Sequence, residues 1–254
     1  MTREHPMRDA GLAVALLTIV PVRTRWPDGG VTQAAGWFPV VGGLVGCAAY
    51  GVVKLAETTT VLARAPWVVA TIAVGMLALV TRFLHWDGLA DVADGYWGSH
   101  EPARRLEIMS DSHTGAFGAT AIALVVALEV LGLGSFVVAH QSPVLVIPLI
   151  ARLAATAAAW LGKPAKPGGL GRSVMGPPSF AGLVPCLLAL AAAFGALWLG
   201  FGSTGIALGA FGVVVALGVP HVLALRFGGV TGDVMGASVL LTEALLLAAF
   251  ALVV

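Results

Sequence analysis

Three aspartates recur at helical spacing in the segment HWDGLADVADG, residues 85–95. Asp87, Asp91 and Asp94 stand at positions i, i+4 and i+7, which fall within an arc of about 60° on a helix. The sequence therefore predicts a helix that carries one row of carboxylates, which we call the aspartate stripe. Like charges at this spacing repel one another. We expect a cation to offset that repulsion, and we expect the removal of one charge to leave folding unharmed.

The chemistry of this stripe predicts a Mg²⁺ site, with Mn²⁺ as the alternative ion. Its donors are carboxylate oxygens, and the two cysteines, Cys47 and Cys186, stand alone in apolar runs. Mg²⁺ is usually bound through one or two carboxylates together with the phosphates of a substrate. His85 falls on the opposite side of the predicted helix, so we do not assign it to the metal. A solvated acidic loop is the alternative interpretation, since structural ion networks also contain carboxylates.

A second polar segment, GSHEPARRLEIMSDSHTGAFG, follows at residues 98–118. Asp111 shares a helical face with Arg104 and could turn back toward the stripe, as a further metal ligand or as the base that orients a hydroxyl. Arg104 and Arg105 carry guanidinium groups that match phosphate oxygens, although basic residues beside a span also act as topology anchors. Ser112 opens SHTGAFG, whose backbone N–H groups could approach a phosphate at the next helix start. A small-residue entry into the membrane would give the same pattern.

Two later loops and one charge within an apolar run complete the candidate site. KPAKPGGLGRS, residues 163–173, is basic and glycine-rich, and its Lys166 suits an anionic ligand. RFGGVTGDVMGA, residues 226–237, places Asp233 at a helix start, where a carboxylate is either a cap or an active-site contact. Arg152 lies within an apolar run, where ionisable residues are costly and indicate function.

The elements that position these residues are predicted to be membrane helices. Of the 254 residues, 58% are hydrophobic and 11% are charged, with a mean hydropathy of +0.94, whereas soluble domains carry about 25% charged residues. The net charge of +1 argues against nucleic-acid binding, which needs a basic surface. A span needs about 20 apolar residues. Seven runs qualify: 34–55, 66–83, 115–139, 142–162, 180–200, 203–225 and 234–254.

We therefore predict an all-α integral membrane protein with a single polytopic domain over residues 1–254. The shorter apolar run 11–22 contains Pro21 and is predicted to be an interfacial or re-entrant helix. With seven spans, the N-terminus and the candidate site share one side of the membrane. That side holds ten of the fourteen Lys and Arg residues: Arg3, Arg8, Arg23, Arg25, Arg104, Arg105, Lys163, Lys166, Arg172 and Arg226. By the positive-inside rule this side is cytoplasmic, and the C-terminus is expected outside.

The two polar segments resemble a known family. LHWDGLADVADG at 84–95, followed by RRLEIMSDSHTGAFG at 104–118, is similar to cobalamin synthases, the adenosylcobinamide-GDP ribazoletransferases of bacterial and archaeal vitamin B12 assembly. The likeness continues in order along the chain through LLTIVPV, WFPVVGGLVG, ARLAATAA, GGLG and GGVTGDVMGA. The chain departs from the family where basic residues usually flank the Asp-Ser pair, since Ser110 and His113 stand there. It also has Arg82 and Phe83 where a glycine pair is usual.

The resemblance implies a phosphoryl-group transfer at a bacterial cell membrane. A hydroxyl of α-ribazole, or of its 5′-phosphate, would attack the cobinamide-side phosphorus of adenosylcobinamide-GDP, and GMP would leave. Asp87, Asp91 and Asp94 are then the expected metal ligands, with Asp111 as a further ligand or the base. The expected substrate contacts are Arg104, Arg105, Ser112, Arg152, Lys166 and Asp233. Expected partners are the two substrates and the lipid bilayer, together with a second copy of the chain or other enzymes of nucleotide-loop assembly.

Two other classes of function remain open at this point. One is another intramembrane transferase of diphosphate substrates, but prenyltransferases carry two separated aspartate-rich motifs. CDP-alcohol phosphotransferases spread their aspartates over a longer helix than 87–94. The other class is a transporter with Glu129, Arg152 and Glu243 as pathway charges. A transporter places its charged site near the middle of the membrane, whereas most of the carboxylates here lie at the predicted cytoplasmic rim.

Overall fold

The computed structural model describes residues 6–23, 31–59, 64–138 and 146–253. These residues form α1 (Pro6–Leu17), a 3₁₀ helix (Thr32–Trp37), α2 (Phe38–Glu57), α3 (Pro66–Val80), α4 (Leu84–Gly98), α5 (Pro102–Ile108), α6 (Ala116–Val138), α7 (Val146–Leu161), α8 (Leu170–Val174), α9 (Phe180–Phe227) and α10 (Gly232–Ala251). Within this part of the chain, the β-type pairing is a single isolated bridge between Pro164 and Val230. The all-α prediction is confirmed.

Local sequence signals explain several helix starts. Pro39, Pro66 and Pro102 stand in the first turn of α2, α3 and α5, where the fixed φ of proline suits a helix and its missing N–H costs nothing. The Thr231 hydroxyl accepts a hydrogen bond from the Val234 amide at 3.2 Å and thereby caps α10. These signals fix where the helices begin, and packing then decides how they are arranged.

The long helix α9 reverses direction at Gly202. This residue has φ 57° and ψ −137°, a backbone conformation that glycine adopts readily and other residues rarely do. A Cβ built on Gly209 would lie 2.8 Å from Cδ1 of Leu197, whereas these positions would be about 18 Å apart along a straight helix. Two arms therefore pack against each other, and the predicted break between the runs 180–200 and 203–225 is confirmed.

Four helical stretches are long and apolar enough to cross a membrane: Thr32–Glu57, Ala116–Val138, Phe180–Phe227 and Gly232–Ala251. Helices α3 and α4 pass this test only as a pair, and they meet at 89°. Helix α7 has 16 residues and is shorter than a typical span. The described residues thus give four or five candidate spans, and seven spans stay a prediction. Because α4 is short, carries the aspartates and turns away from α3, we treat it as lying outside the spans.

Helix α10 stands at the centre of the bundle and packs against α4, α6, α7 and α9. Every residue from Val234 to Leu240 is buried. Helix α4 approaches α10 closely because Gly88 has no side chain: a Cβ there would lie 2.8 Å from the backbone oxygen of Asp233. This contact brings the aspartate stripe and the first turn of α10 together.

A short N-terminal helix is present, but α1 spans Pro6–Leu17 and so begins and ends five residues before the predicted run 11–22. Its interfacial or re-entrant position stays a prediction. Helix α1 buries Leu12 and Leu16 and packs against the 3₁₀ helix and α2. The guanidinium of Arg82 donates hydrogen bonds to the carbonyl oxygens of Ala15 and Leu16 at 3.2 and 3.3 Å. The end of α1 is thereby tied to the break between α3 and α4.

Candidate active site

A sharp turn at Arg82 and Phe83 directs α4 away from α3. Both residues have positive φ, 54° and 56°, in a region that residues other than glycine seldom occupy. Phe83 packs edge-on against Trp86, with ring centroids 5.9 Å apart. A glycine at either position would adopt this left-handed backbone without the steric cost that a Cβ adds.

The three aspartates lie on one helix, as predicted, but their surroundings differ. Asp87 is exposed, Asp91 is half-buried, and Asp94 is 9% exposed. The stripe therefore runs from the solvent into the interior. Carboxylates in such different environments are expected to have different roles, which equal spacing in the sequence does not reveal.

Asp94 holds the start of α6. Its Oδ2 accepts a hydrogen bond from the Gly115 amide at 2.6 Å, and its Oδ1 accepts one from the Gly118 amide at 2.8 Å. A Cβ on either glycine would come within 2.5 Å of a carboxylate oxygen of Asp94. The sequence predicted that backbone N–H groups of SHTGAFG approach a substrate phosphate. The structure corrects this for the amides of Gly115 and Gly118, because both already donate their hydrogen bonds to the carboxylate of Asp94.

Asp91 lies in the most crowded part of the site. Burial, together with the negative charges of Asp233, Asp87 and Asp94, raises its pKa to about 7, and the charge of Lys166 opposes this shift. This pattern places Asp233 with the stripe. We call Asp87, Asp91, Asp233 and Lys166 the acidic cluster. It gathers three carboxylates and one ammonium group from α4, the start of α10 and the loop before α8.

The two interpretations of Asp233 can now be separated. The side chain that caps α10 is that of Thr231, whose hydroxyl accepts from the Val234 amide. Asp233 stands in the first helical turn, where its Oδ2 accepts a hydrogen bond from the Thr231 hydroxyl at 3.3 Å. Asp233 is therefore available as a site residue beside the stripe.

Asp111 and Ser112 lie in the exposed loop between α5 and α6. Oδ1 of Asp111 lies 2.7 Å from Nδ1 of His113 and accepts a hydrogen bond from the His113 amide at 3.1 Å. These bonds lower the pKa of Asp111. The structure thus pairs Asp111 with His113. The role of Asp111 as a further metal ligand or as the base stays a prediction.

The donor set of the acidic cluster suits a hard cation. Carboxylate oxygens are the ligands that Mg²⁺ and Mn²⁺ prefer, and crowding of these carboxylates already raises the pKa of Asp91. In the described ranges, with their gaps at 24–30, 60–63 and 139–145, no group of three or more His, Cys, Asp or Glu side chains is arranged to hold a metal ion. The metal site therefore stays a prediction, and the carboxylate oxygens of the acidic cluster are chemically suited to Mg²⁺ or Mn²⁺.

Arg105 makes several structural contacts within the protein, and its predicted phosphate contact stays a prediction. Its guanidinium is 5% exposed and donates hydrogen bonds to the carbonyl oxygens of Ser99 at 2.8 Å and Arg226 at 2.7 Å. It also stacks over the ring of Tyr96, with 4.9 Å between Cζ and the ring centroid. These contacts join α5 to the end of α9 and leave little of Arg105 for a substrate.

Arg104 and Lys166 keep positions in which an anion can reach them. Arg104 is exposed, and its Nη1 lies 2.6 Å from Oε2 of Glu107. Lys166 donates hydrogen bonds to the Ser110 hydroxyl at 2.8 Å and the Leu106 carbonyl at 3.3 Å. A lysine from a loop distant in the sequence thus supplies positive charge beside Ser110.

Arg152 lies inside the bundle. It is 2% exposed, pairs with Glu243 of α10 and donates a second hydrogen bond to the Pro148 carbonyl at 3.3 Å. Glu129 of α6 is buried as well, and its electrostatic interaction with both Arg152 and Glu243 places the three together. The guanidinium of Arg152 thus neutralises a buried carboxylate, and its predicted contact with substrate stays a prediction.

A cavity of about 270 Å³ opens next to the acidic cluster. Its lining includes Lys166 and Asp233 of the cluster, the glycines of the GGLG motif and, from the other side of α4, His85. His85 and Thr231, for which the sequence predicted no role in the site, line this cavity together with Arg172 of the basic loop 163–173. The position of His85 opposite the stripe could have indicated this role, because that face of α4 must either pack against another helix or line a cavity.

Comparison with known proteins gives a consistent result over nearly the whole chain. Residues 9–251 match the family model described as cobalamin-5-phosphate synthase. A relative from Syntrophobacter fumaroxidans, named adenosylcobinamide-GDP ribazoletransferase, is 38% identical over 95% of this chain and 97% of its own length. Relatives with the same name from Frankia casuarinae and Brucella ovis are 37% and 34% identical, over 98% and 94% of this chain and over 96% and 94% of their own lengths. No solved structure matches the chain significantly.

Proposed function

The chain belongs to the cobalamin-5-phosphate synthase family, and on this premise we propose that it closes the nucleotide loop of a cobamide. A hydroxyl oxygen of α-ribazole, or of its 5′-phosphate, forms a bond to the cobinamide-side phosphorus of adenosylcobinamide-GDP. The bond from this phosphorus to the bridging oxygen breaks, and GMP leaves with the electron pair. The hydroxyl proton passes to a carboxylate of the site. The product is adenosylcobalamin or its 5′-phosphate.

The observation that carries this proposal is the acidic cluster at the edge of a ligand-sized cavity. Lys166 and Asp233 belong to both the cluster and the cavity lining. A diphosphate held at the cluster and a hydroxyl presented from the cavity would therefore meet at one place. Correct placement of two reactants is a large part of the rate enhancement in such transfers.

We propose that Asp87, Asp91 and Asp233 hold Mg²⁺, or Mn²⁺, together with oxygens of the diphosphate. A bound ion of this type would neutralise charge on the transferring phosphoryl group and on the leaving oxygen. Asp94 acts as a positioning residue, because its carboxylate fixes the start of α6 through Gly115 and Gly118. Lys166 places positive charge beside Asp91 and Asp233.

The exposed loop between α5 and α6 contributes further groups in this proposal. Arg104 contacts phosphate from outside the cluster, and Ser112 supports the same anion. Asp111 approaches as an additional ligand or as the base for the hydroxyl once substrate is bound. Because these three residues are exposed, binding of a large substrate does not require rearrangement of the core.

We also propose that this site faces the cytoplasm at the bacterial cell membrane. The support is the placement of ten of the fourteen basic residues on the predicted side of the acidic cluster, together with the apolar helices of the described chain. A bilayer around these helices would leave α4 and the loops at 163–179 at the membrane edge, where soluble substrates arrive.

The test is GMP release by the purified protein from adenosylcobinamide-GDP and α-ribazole, across titrations of Mg²⁺ and Mn²⁺. We expect release to require both substrates and a divalent ion. Asp87→Asn and Asp91→Asn should each lower kcat by about 10²–10³, the usual effect of losing one group that stabilises transition-state charge. Excess metal should restore part of the activity if ligation is only weakened.

Glu101→Gln is the matched control, because Glu101 is an exposed carboxylate of the neighbouring loop outside the acidic cluster. It should keep full activity. Metal-independent GMP release, or near-normal turnover of both aspartate variants, would contradict the proposed roles of the cluster. Absence of GMP release from the wild-type protein under all metals would overturn the proposed reaction.

A further inference from the structure

Six separate segments of the chain build the cavity beside the acidic cluster. With α7, which contributes Ala155, they are the end of α1, the start of α2, the start of α4, the loop and helix at 166–174, and residues 230–236 at the start of α10. Its volume of about 270 Å³ lies just below the usual range of ligand pockets, about 300–1,000 Å³. A nucleoside is of this size class, whereas a corrinoid is far too large.

The cavity has an apolar interior and a polar entrance. Leu16, Leu17, Phe38, Ala155 and Met235 are each at most 6% exposed, and they form the inner wall. The glycines and the basic side chain at the opening are exposed: Gly168, Gly169, Arg172 and Gly232. An occupant should therefore have a flat apolar part that fills the inner end and a polar part that remains at the entrance.

The interior also contains one polar atom that calls for a partner. His85 lines the cavity and is 3% exposed, and its Nε2 has no hydrogen-bond partner among the described residues. A buried polar atom without a partner is unfavourable, so such atoms are nearly always satisfied by protein, water or ligand. A ring nitrogen or a ribose hydroxyl of a bound molecule would satisfy Nε2 of His85.

We infer that this cavity is the binding site of the α-ribazole substrate, with its benzimidazole among the apolar residues and its ribose at Asp233 and Lys166. The inference rests on the proposed function and names the substrate that occupies this cavity. A dimethylated benzimidazole has no exocyclic donors, which suits apolar walls with a single polar atom. Guanine, the other base in the reaction, has several donors and acceptors on its edge that these walls would leave unpaired.

The entrance also fits the phosphorylated form of the same nucleoside. Arg172 is exposed at the opening, on the same loop and helix as Lys166. A guanidinium matches phosphate oxygens in geometry and charge. The 5′-phosphate of α-ribazole 5′-phosphate would lie at Arg172, and its hydroxyls would lie toward Asp233 and the acidic cluster.

The experiment measures binding of α-ribazole to the detergent-solubilised full-length protein by calorimetry, without metal and without adenosylcobinamide-GDP. Ala155→Leu places a larger side chain in the inner wall and should raise the Kd at least tenfold. The matched control is Ala157→Leu, the same change on the same helix, which faces a different cavity of about 590 Å³. Ala157→Leu should leave the Kd within about twofold of wild type.

Three further variants complete the test, and the first two keep it informative if Ala155→Leu does not fold. Gly168→Val adds a side chain at the entrance, where a Cβ meets nothing within 4 Å, and should also weaken binding. His85→Phe keeps the ring shape but removes the hydrogen bond, so the Kd should rise about tenfold. Arg172→Ala should weaken binding of α-ribazole 5′-phosphate and leave the Kd of α-ribazole unchanged.

Steady-state kinetics distinguish failure of this inference from failure of the proposed function. If the cavity holds guanine, Ala155→Leu will raise the KM for adenosylcobinamide-GDP and leave the KM for α-ribazole unchanged, with GMP release intact in the wild type. That outcome overturns the inference alone. Unchanged α-ribazole binding in Ala155→Leu, Gly168→Val and His85→Phe would overturn it as well.

Discussion

The carboxylate of Asp94 on α4 accepts a 2.8 Å hydrogen bond from the backbone amide of Gly118 on α6. The same carboxylate accepts a second bond from Gly115. A negative charge at a helix start also interacts favourably with the helix dipole. Asp94 is thus an interhelical cap within a stripe whose other two members, Asp87 and Asp91, belong to the acidic cluster, and this difference leads to the first prediction.

Asp94→Asn should destabilise the protein, contrary to the sequence-based expectation that removal of any charge from the stripe leaves folding unharmed. The carboxamide has one acceptor oxygen, so one of the two amides loses its partner. The expected cost is about 1–3 kcal/mol. Thermal unfolding in detergent without metal measures it, and Asp87→Asn is the control that should not be less stable than wild type. Equal stability of both variants would show that Asp94 does not cap α6.

The stability of the metal-free protein should depend on the protonation of Asp91. Its pKa is about 7 in the folded protein against 3.8 for an ordinary aspartate, so the folded state binds this proton more tightly than the unfolded chain. The contribution to stability is therefore greatest below pH 4 and is lost as the pH rises toward about 7. Urea unfolding in EDTA from pH 5 to pH 8 measures this. In Asp91→Asn the part of the pH dependence of unfolding that comes from Asp91 should disappear. A pH profile identical to that of wild type would contradict the raised pKa of Asp91.

Phe83→Gly should stabilise the turn between α3 and α4 relative to Phe83→Ala. Both changes remove the ring contact with Trp86, but only glycine relieves the positive φ of 56°. The left-handed conformation costs roughly 1–2 kcal/mol for a residue with a Cβ, so the glycine variant should be more stable than the alanine variant by about 1 kcal/mol. Parallel thermal unfolding of the two purified variants decides this. A more stable alanine variant would mean that the ring contact, not the backbone, governs this turn.

Arg104→Ala and Arg105→Ala should have different effects although the residues are adjacent. Arg105→Ala removes hydrogen bonds to two carbonyl groups and the packing on Tyr96, so it should cost about 2 kcal/mol or more. Arg104→Ala should change stability by less than about 0.5 kcal/mol and raise the KM for adenosylcobinamide-GDP but not for α-ribazole. Unfolding and steady-state kinetics separate the two effects. Equal loss of stability in both variants would be inconsistent with the exposed position of Arg104.

The N-terminus and the loop after α4 should be cytoplasmic, and the C-terminus should lie on the other side. Single cysteines at His100 and Leu252, in a background without the exposed Cys47, report this through labelling of intact cells with an impermeant maleimide. Leu252→Cys should react from outside, and His100→Cys only in inverted vesicles. Labelling of both from the same side would contradict the predicted odd number of spans.

Several features of this protein follow from its sequence because they depend on local periodicity and composition. The apolar content indicates an all-helical bundle, and spacing of i, i+4 and i+7 places Asp87, Asp91 and Asp94 on one helix. The break at Gly202 follows from the interruption of two apolar runs. Each of these properties is fixed by residues within a few turns of one another, so no knowledge of the rest of the chain is needed.

The roles of individual residues depend instead on partners that lie far away in the sequence. The carboxylate of Asp94 accepts hydrogen bonds from backbone amides 21 and 24 residues later in the chain. The guanidinium of Arg105 donates a hydrogen bond to the carbonyl of Arg226, 121 residues later. Asp233 joins the acidic cluster because Gly88 lets α10 approach α4. Spacing along the chain can show which side chains share a helix face. Only the packing of helices decides which of them are buried, which are satisfied by backbone groups, and which remain free to bind a ligand.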